Sequence, residues 1–424
     1  MAFYEKNIIT CVEIGTSKIC ALHGTCDKAG NPVILGFGQT SPEGSVCKSD
    51  IVDYQTVTNA LEKALGDADQ SAGRDFERKS VYCVLNGPGI FSRQGEGNVV
   101  IYDADHKIKQ SHIDEAVRKA QSLSLPPDQV HLNSFDSYFL LDSCRIKQNP
   151  LGSQASRLDA YLHIISAERN RVEMIRALLK ELGFESDVSC VFSGVSSAYA
   201  TLRADEKQQG VLLIDMGAGV TDYLLVQKDG ILASGVLPVG TENVANDLAI
   251  GLEISIEQAR RFLNESRLED YRASGAAFIE LSGTVQNTKR RIPVGSFEKI
   301  IELRLREIFS IIREQIDSKG LTSKIETGVV FCGGGATMQS AVEALRGVMG
   351  MHVRKGETLG ISGAMTGMEI PYRYTALLGL LKFAAEIENS SSTESGFRKV
   401  GDVLEEFGES FFKKVKDVTR GFKV

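Results

Sequence analysis

The sequence predicts a two-lobed α/β protein with an inserted α+β subdomain and a C-terminal amphipathic helix. Two apolar strands, about 200 residues apart, each run into an acidic residue and a glycine turn, which suggests a duplicated architecture. A third apolar strand runs into three consecutive glycines. The last residues carry a helical stripe of Phe, Leu and Val. Together these features predict a cleft lined by glycine turns and an amphipathic tail.

Length and composition limit the classes of protein to consider. A chain of 424 residues is too long for one compact core, so two or more folding units are expected. A formal charge of −7 argues against general nucleic-acid binding, and no apolar run is long enough to span a bilayer. The first apolar run is interrupted by Glu13 and Lys18 and lacks a cleavage site, so it is not a signal peptide. The eight cysteines form no CxxC pair and the six histidines have no ligand spacing, which favours a reducing cytoplasm and no metal cage.

The two glycine turns share one pattern. In the first, an apolar strand reaches Glu13 and turns at Gly15, Thr16, Ser17 and Lys18. In the second, the strand of residues 211–214 reaches Asp215 and turns at four small or apolar residues, Gly217, Ala218, Gly219 and Val220. Glycines let the backbone fold tightly and aim successive N–H groups at an anion, and Lys18 adds a positive charge suited to a terminal phosphate. Each turn taken alone is equally an ordinary tight hairpin.

The third glycine segment follows the strand of residues 328–332 and precedes a helix of residues 338–345. It consists of Gly333, Gly334, Gly335 and Ala336. A strand followed by glycines and a helix allows a flat ring or sugar to approach the backbone, with helix N–H groups facing a phosphate. By itself this segment is equally a tight turn, and its order behind the other two turns strengthens the nucleotide interpretation.

Between these turns the patterns predict further strands and helices. Residues 189–202 are predicted as a helix rich in small residues, serving either a tight joint between lobes or plain core packing. The predicted helix of residues 111–122 begins with a Ser cap and lies inside a block that looks like an inserted α+β subdomain. Helices are predicted to dominate residues 241–323. The other predicted strands are 33–38, 81–85, 98–102, 138–141, 161–166 and 231–239, and the other predicted helices are 57–66, 172–182, 241–250, 256–263 and 296–319.

The arrangement resembles the actin, heat-shock-70 and sugar-kinase superfamily, and within it the family of the bacterial cell-division protein FtsA. The resemblance runs from about Asn7 to the last residue. The segments that carry it are residues 12–18, 214–222, 240–249, 304–308 and 371–381, with residues 147–152 resembling the distinctive insertion of the family. It implies a two-lobed actin/heat-shock-70-like (ribonuclease H-like) fold with an inserted subdomain of the 1C type.

The resemblance also implies domain boundaries. The first lobe (1A) would comprise residues 1–82, 168–206 and 371–386, and the inserted subdomain (1C) residues 83–167. The second lobe (2A) would comprise residues 207–241 and 326–370, and its helical subdomain (2B) residues 242–325. A flexible linker of residues 387–401 would precede a membrane-targeting amphipathic helix of residues 402–424.

By the same resemblance, ATP with Mg²⁺ would lie between the lobes. Asp215 would hold the metal through water with help from Glu13, and the first two turns, including Lys18, would cradle the phosphates. Gly333 to Ala336 would border adenosine, with Gly240 and Asn243 nearby. Ala218 and Val220 depart from the glycine and threonine usual in the family. The helix of residues 192–200 offers no acid or amide to orient water, so at most a slow ATPase is expected and no catalytic residue is assigned.

The C-terminal tail combines an apolar helical face with basic residues. A polar stretch, residues 388–396, is typical of a flexible linker. The apolar members of the tail are Leu404, Phe407, Phe411, Phe412, Val415, Val418 and Phe422, and the basic ones that crowd its end include Lys413, Lys414, Lys416 and Arg420. Such a helix can lie in the interface of an anionic membrane. The alternative is a helix docked on the body of the protein itself.

The resemblance implies an assembly scaffold of cytokinesis located in the cytoplasm, peripheral on the inner face of the cell membrane at the division site. Its partners would be the C-terminal tail of the tubulin-like FtsZ, copies of itself assembled head to tail through the insertion, other division proteins and the anionic membrane surface. Two alternatives remain: a scaffold of pilus assembly like PilM, and a small-molecule kinase of the same superfamily. The kinase would need a carboxylate base and a substrate pocket, and the sequence points to neither.

Overall fold

The computed structural model describes residues 8–27, 29–74, 76, 80–122, 124–146, 149–184, 188–228, 230–264, 270–271, 273–282, 289–363 and 371–392. The predicted amphipathic helix of residues 402–424 lies outside the described residues. The same holds for the part of the predicted linker from residue 393 onward and for Lys147 and Gln148 of the insertion motif. These predictions therefore rest on the sequence alone.

Strands and helices alternate along most of the chain. The strands are β1 (Ile9–Ile14), β2 (Ile19–Cys26), β3 (Pro32–Thr40), β4 (Val46–Cys47), β5 (Asp50–Ile51), β6 (Ser80–Leu85), β7 (Ile90–Val100), β8 (Gln129–Leu141), β9 (Cys144–Arg145), β10 (Arg157–Glu168), β11 (Val188–Phe192), β12 (Val211–Met216), β13 (Thr221–Gln227), β14 (Gly230–Leu237), β15 (Phe278–Ser282), β16 (Lys289–Pro293), β17 (Val329–Cys332), β18 (Val353–Lys355) and β19 (Ser362–Gly363). The helices are α1 (Tyr54–Ala72), α2 (Gln110–Gln121), α3 (Arg169–Glu181), α4 (Ser193–Thr201), α5 (Ala204–Gln209), α6 (Thr241–Leu252), α7 (Ile256–Asn264), α8 (Val294–Ser318), α9 (Gln339–Met349) and α10 (Thr375–Ser392).

The two lobes repeat one sheet topology, as the paired glycine turns predict. The first-lobe sheet has the order β11-β6-β1-β2-β3-β19, and the second-lobe sheet has the order β14-β13-β12-β17-β18. In each lobe an antiparallel three-strand meander continues into two parallel strands on the side of its first strand. The first lobe adds β19 beside β3. The duplicated architecture predicted from the sequence is therefore confirmed.

Strand β12 shows why its sequence is apolar on both faces. Side chains alternate across a strand, so odd and even positions enter different layers. Val211 and Leu213 belong to the core that the second-lobe sheet shares with the first lobe. Leu212 and Ile214 belong to the core beneath the helical subdomain. The strand is sandwiched between two cores, which a continuous Val, Leu and Ile run requires.

Helix α1 covers the first-lobe sheet and is fixed at both ends. The Asp53 side chain accepts a hydrogen bond from the Thr56 N–H at 3.2 Å, and Gly73 ends the helix with φ of 72°. Strand β3 contributes Gly38, where a Cβ would overlap the carbonyl oxygen of Ala64. The helix therefore lies directly on the strand backbone.

The inserted subdomain is a sheet of order β7-β10-β8-β9 covered by α2, with a separate apolar core. Strand β6 pairs with β1 through Cys83 and Val84, so the first-lobe sheet extends past the predicted boundary at residue 83. Helix α2 begins at Gln110, and its N-cap is Lys109, whose N–H donates to His112 Nδ1 at 3.3 Å. The prediction of a Ser cap for this helix is wrong.

Other predictions differ from the structure in location or type. Residues 189–202, predicted as one helix, form β11 and then α4, because residues 188–192 pair in parallel with β6. Strand β19, within the range assigned to the second lobe, pairs with β3 of the first. The predominantly helical block also contains the antiparallel pair β15 and β16. Helix α10 continues to Ser392, into the start of the predicted linker.

Helices α4 and α10 cross at very close range. A Cβ at Gly379 on α10 would overlap the carbonyl oxygen of Ser196 on α4. Every residue of α4 is buried, and this helix also contacts β12 and β13 of the second lobe. The small residues of α4 therefore pack in the core and also form a joint between the lobes, so both alternatives predicted from the sequence are present.

Candidate functional site

The two predicted phosphate turns have the same backbone closure. In the β1–β2 turn, the Gly15 N–H donates to the Lys18 carbonyl oxygen at 2.9 Å. In the β12–β13 turn, the Gly217 N–H donates to the Val220 carbonyl oxygen, also at 2.9 Å. The residues between them are Thr16 and Ser17 in the first turn and Ala218 and Gly219 in the second. The two turns, which share one sequence pattern, therefore also share one backbone geometry.

The two turns face each other across the boundary between the lobes. A Cβ at Gly219 would overlap Oγ1 of Thr16. Glycine is required at this position because its neighbours approach too closely for a Cβ. The backbone of Gly219 itself is not left-handed. Ser17, at the tip of the first turn, is exposed. The pair of turns thus lies where the two lobes meet, at the cleft predicted from the sequence.

The third glycine segment lies beside the end of β12. Strand β17 runs parallel to β12 with Cys332 in register with Asp215. Gly333 has φ of 81°, and a Cβ there would overlap Oδ1 of Asp215. Gly335 packs on Met216, Ala336 is buried, and Gly334 faces open space. The segment therefore borders the same carboxylate as the second turn.

Gly240 and Asn243 lie behind the second turn and position it. The N–H groups of Thr241 and Glu242 donate to the carbonyl oxygens of Gly217 and Ala218 at 3.0 and 2.9 Å. The Asn243 side chain accepts from the Gly240 N–H at 3.0 Å. These N–H groups at the start of α6 are therefore bonded to carbonyl oxygens of the second glycine turn and hold that turn in place.

The charged groups of the cleft form one cluster. The Lys18 ammonium donates to Glu13 Oε1, and it also lies 5.4 Å from the ring centroid of Tyr374. Burial works against the charge on Lys18, yet the Glu13 carboxylate holds the pKa of Lys18 above its ordinary value. Lys18, predicted to meet a phosphate, is thus held by an ion pair at the cleft floor.

Asp215 is buried at the centre of this cluster. Ser197 on α4 donates to its Oδ2. Burial raises the pKa of Asp215 to about 6, and the neighbouring Glu13 carboxylate adds to the shift, while Ser197, Lys18 and the Cys332 thiol oppose it. Its surroundings consequently favour the protonated, neutral form of Asp215, and a cation beside it would favour the charged form.

Asp222, two residues beyond the second turn, is a second buried acid of this cluster. It stands opposite Asp215 in the β12–β13 pair and accepts from the Ser193 hydroxyl. Burial first, and then the charge of Asp215, raises the pKa of Asp222 well above its ordinary value. The signal available in the sequence was the symmetric spacing of two acids around the glycine turn.

Two carboxylate oxygens of the cluster are buried without a hydrogen-bond partner among the described residues: Glu13 Oε2 and Asp222 Oδ1. Buried acceptors of this kind call for a cation or water. The part of the chain that the structure describes holds no group of three or more His, Cys, Asp or Glu side chains able to hold a metal ion. Mg²⁺ typically keeps several waters and takes its other ligands from phosphates. The residues present therefore fit a water-mediated Mg²⁺ contact by Asp215 and Glu13.

Two family models match the chain. One, "Cell division protein FtsA", covers residues 212–379, and the other, "SHS2 domain inserted in FTSA", covers residues 87–166. The chain belongs to the FtsA family. The second model places the start of the insertion after β6, in agreement with the sheet boundary seen in the structure.

FtsA relatives align along almost the whole chain. The cell division protein FtsA of Neisseria meningitidis is 27% identical over 395 residues, covering 92% of this chain and 94% of the relative. FtsA of Pseudomonas aeruginosa is 26% identical, with 92% of each chain covered. FtsA of Bacillus subtilis is 26% identical and covers 96% of this chain and 90% of its own. This FtsA-family chain therefore spans nearly the full length of these relatives.

Solved structures confirm the actin-like fold. The PilM–PilN type IV pilus biogenesis complex contains a chain that matches with a TM-score of 0.59 at 16% identity, over 89% of this chain and 98% of that one. MreB5 of Spiroplasma citri bound to AMPPNP matches with a TM-score of 0.53 at 11% identity, over 92% and 100%. At these identities the likeness establishes the fold alone.

Proposed function

We propose that this protein is an ATP-binding, actin-like scaffold of bacterial cytokinesis that tethers the FtsZ ring to the inner face of the cytoplasmic membrane. The observation that carries the nucleotide part is the pair of facing glycine turns above the orphaned oxygens of Glu13 and Asp222. Their main-chain N–H groups suit phosphate oxygens, and Mg²⁺ would offset the charge of the carboxylates. The family supplies the role in cell division.

Hydrolysis is expected to be slow in this scaffold. The polar side chains of α4 that reach the cleft are the hydroxyls of Ser193 and Ser197, and both donate to carboxylates. Neither hydroxyl is a base able to orient or deprotonate an attacking water. Nucleotide binding, rather than turnover, would therefore control assembly, and protomers would join head to tail through the inserted subdomain.

The membrane part of the proposal rests on the tail of residues 402–424, whose Phe, Leu and Val stripe lies beside Lys and Arg. None of the described helices is long and apolar enough to cross a membrane. An interfacial helix anchors a protein reversibly, and assembly of many protomers multiplies weak contacts into firm attachment. This combination suits a scaffold that must bind and leave the division site.

Phe411→Glu is expected to lower binding to anionic vesicles by about tenfold or more, because it removes roughly 2 kcal/mol of apolar burial and adds a charge repelled by the lipid. Co-sedimentation with phosphatidylglycerol vesicles measures the bound fraction, and Phe411→Leu is the matched control that keeps the apolar face. Removal of residues 401–424 should also abolish recruitment of FtsZ to the vesicles with ATP present. Unchanged sedimentation of Phe411→Glu would favour a tail docked on the protein body.

FtsZ would dock its C-terminal tail on the second lobe, at an open groove between α6 and α8. The groove has a volume of about 360 Å³ and is lined by Asp247, Ile250, Gly251, Ile300, Leu303, Arg304 and Glu307. Ile250 is 78% exposed and Leu303 is 55% exposed, which is unusual for large apolar side chains lying together. Arg304 makes a two-pronged ion pair with Asp247, at 2.5 and 3.0 Å, and so fixes a polar rim beside them.

Leu303→Glu is expected to weaken binding of the FtsZ tail peptide by at least about tenfold, since a charge in an apolar contact costs more than 1.4 kcal/mol. Fluorescence anisotropy of a labelled FtsZ tail peptide measures the affinity. Ile311→Glu is the matched control, because Ile311 is 36% exposed on the same helix and does not line the groove. Equal loss in both variants, or in neither, would place the docking site elsewhere.

A further inference from the structure

The short hairpin β4–β5, residues 46–51, is a feature that the nucleotide turns do not explain. Its strands pair Val46 with Ile51 and Cys47 with Asp50, which leaves Lys48 and Ser49 as a two-residue tip. Both tip residues have left-handed backbones, with φ of 48° and 66°. Such turns favour Asn and Gly, and a left-handed backbone is strained for a residue such as lysine or serine. Surrounding contacts must hold this tip in place.

On one side the tip contacts both nucleotide turns. The Ser49 N–H donates to Thr16 Oγ1 at 3.1 Å. Because this bond uses the hydroxyl as an acceptor, the Thr16 O–H is left to donate toward the cleft. A Cβ at Gly219 would lie 2.9 Å from the Cα of Lys48, so the second turn also abuts the tip. A displacement of either turn by a phosphate would press directly on residues 48 and 49.

On the other side the tip is clamped by Arg171, the third residue of α3. Its guanidinium donates to the Ser49 carbonyl oxygen at 3.0 Å and to the Asn86 carbonyl oxygen at 2.7 Å, and its Nε lies 2.8 Å from Asp50 Oδ1. The Arg171 side chain is only 12% exposed. Asn86 begins the link from β6 into the insertion, and α3 begins where β10 leaves it. Arg171 therefore lies on the connection that leaves the inserted subdomain and bonds both to the connection that enters it and to the hairpin tip.

Glycines at the entrance of the insertion complete this contact. Gly87 has φ of 106°, and a Cβ there would lie 2.5 Å from Arg171 Nη2 and 3.0 Å from the Lys48 carbonyl oxygen. A Cβ at Gly89 would lie 2.8 Å from Glu168 Oε2 and 2.9 Å from Cδ of Arg171. The backbone at Gly87 and Gly89 therefore packs directly on the Arg171 side chain, so a movement of the entrance of the insertion relative to Arg171 would break these contacts.

We propose that the hairpin of residues 46–51 and Arg171 form a positioning relay that couples nucleotide binding at the two glycine turns to the orientation of the inserted subdomain. This inference rests on the proposed ATP-dependent assembly. When phosphates bind, Thr16 and Gly219 fix the hairpin tip, and Arg171 transmits that position to both ends of the insertion. Coupling between sites is reciprocal, so contacts of the insertion in an assembled filament tighten nucleotide binding by the same factor.

Arg171→Met tests the relay in the full chain. Affinity for a fluorescent ATP analogue with Mg²⁺ is measured for the dispersed protein and for protein assembled on phosphatidylglycerol vesicles. In the natural sequence we expect assembly to tighten binding at least about fivefold, and in Arg171→Met less than about twofold. Arg176→Met is the matched control on an exposed face of the same helix and should keep the natural coupling.

Asp50→Asn provides a second variant in case Arg171→Met does not fold. Asp50 is 46% exposed, and its amide keeps the shape of the side chain while removing the charge that orients Arg171. Its coupling factor should fall between those of the natural protein and Arg171→Met. Hydrogen exchange of the natural protein adds an independent readout: ATP should slow exchange in residues 46–51 and in residues 86–90, and Arg171→Met should lose the second effect.

The outcomes separate the relay from the proposed function. If ATP promotes assembly of Arg171→Met and Asp50→Asn as in the natural protein, the relay is overturned and the ATP-dependent scaffold stands. If the natural protein binds ATP but assembly leaves its affinity unchanged, the relay is likewise overturned. If the natural protein binds no ATP at all, the relay and the nucleotide part of the proposed function both fail, while vesicle binding by the tail is unaffected.

Discussion

Asp215→Asn is expected to weaken Mg²⁺-dependent ATP binding by at least about tenfold while stabilising the nucleotide-free protein. The amide keeps the size of the side chain and an oxygen acceptor for Ser197, but it carries no charge for a cation. Burial and the Glu13 carboxylate raise the pKa of Asp215 to about 6 from 3.8, so its charged form destabilises the folded state. Removing that charge should raise the free energy of unfolding at pH 7.5 by about 2–3 kcal/mol.

The sign of the pH dependence follows from the same shift. The folded state holds a proton on Asp215 up to about pH 6, whereas the unfolded chain loses it near 3.8. The nucleotide-free protein is therefore stabilised by this group at low pH, and the stabilisation is lost as the pH rises through about 6. Mg²⁺-dependent ATP binding has the opposite trend, because protonation of Asp215 below about pH 6 removes the charge that attracts the cation.

Urea unfolding between pH 4.5 and 8 and titration with a fluorescent ATP analogue, with and without Mg²⁺, measure both effects. The difference in unfolding free energy between Asp215→Asn and the natural protein should grow as the pH rises from 4.5 to about 6 and stay constant at higher pH. Asp128→Asn, at an exposed carboxyl in the inserted subdomain, serves as the control for charge removal. Natural Mg²⁺-dependent affinity in Asp215→Asn would show that another group contacts the metal.

Gly379→Ala is expected to destabilise the protein by about 3 kcal/mol or more, at the upper end of the cost of overpacking a core. The new methyl group would overlap the Ser196 carbonyl oxygen and lie 2.5 Å from the Ser196 carbonyl carbon, and backbone atoms cannot rotate away. Helices α4 and α10 would have to separate. That movement carries the hydroxyls of Ser193 and Ser197 away from Asp222 and Asp215, so nucleotide affinity should fall as well.

Gly347→Ala is the matched control for this substitution. Gly347 lies inside helix α9 and a Cβ there meets nothing within 4 Å, so alanine should stabilise the helix by up to about 1 kcal/mol. Urea midpoints of the two variants measure the contrast. If Gly379→Ala unfolds at the midpoint of the natural protein, the close crossing of α4 and α10 is not rigid.

Local patterns predicted most of the elements near the cleft because their residues satisfy strong local requirements. Two buried strands ending in Glu13 and Asp215 and their glycine turns appear in the structure at those positions. Strand β17 and helix α9 follow the same logic around Gly333. The periodicity of apolar residues gave a wrong prediction for residues 189–192. It joined this short strand to the small-residue helix that follows it directly.

Other parts of the site depend on long-range contacts that no local pattern reports. Nothing near residue 48 indicates that its hairpin tip meets Thr16, Gly219 and Arg171, which are far apart in the sequence. Likewise, the resemblance places Gly240 and Asn243 near the nucleotide, and the structure shows that they bond to each other at the start of α6, whose next two N–H groups donate to carbonyl oxygens of the second turn. Such contacts are decided by how the sheets and the insertion pack together.

The sequence by itself determined the duplicated lobes, the three glycine segments and the amphipathic pattern of the tail, because strand periodicity, glycine turns and apolar stripes are local properties. Only the tertiary structure decided which oxygens are left without a partner at the cleft floor, where the insertion begins, and that Arg171 joins it to the nucleotide turns. Burial, pKa shifts and contacts such as those of Arg171 arise when segments distant in the sequence pack together and exclude water. They therefore follow from tertiary packing rather than from residues adjacent in the sequence.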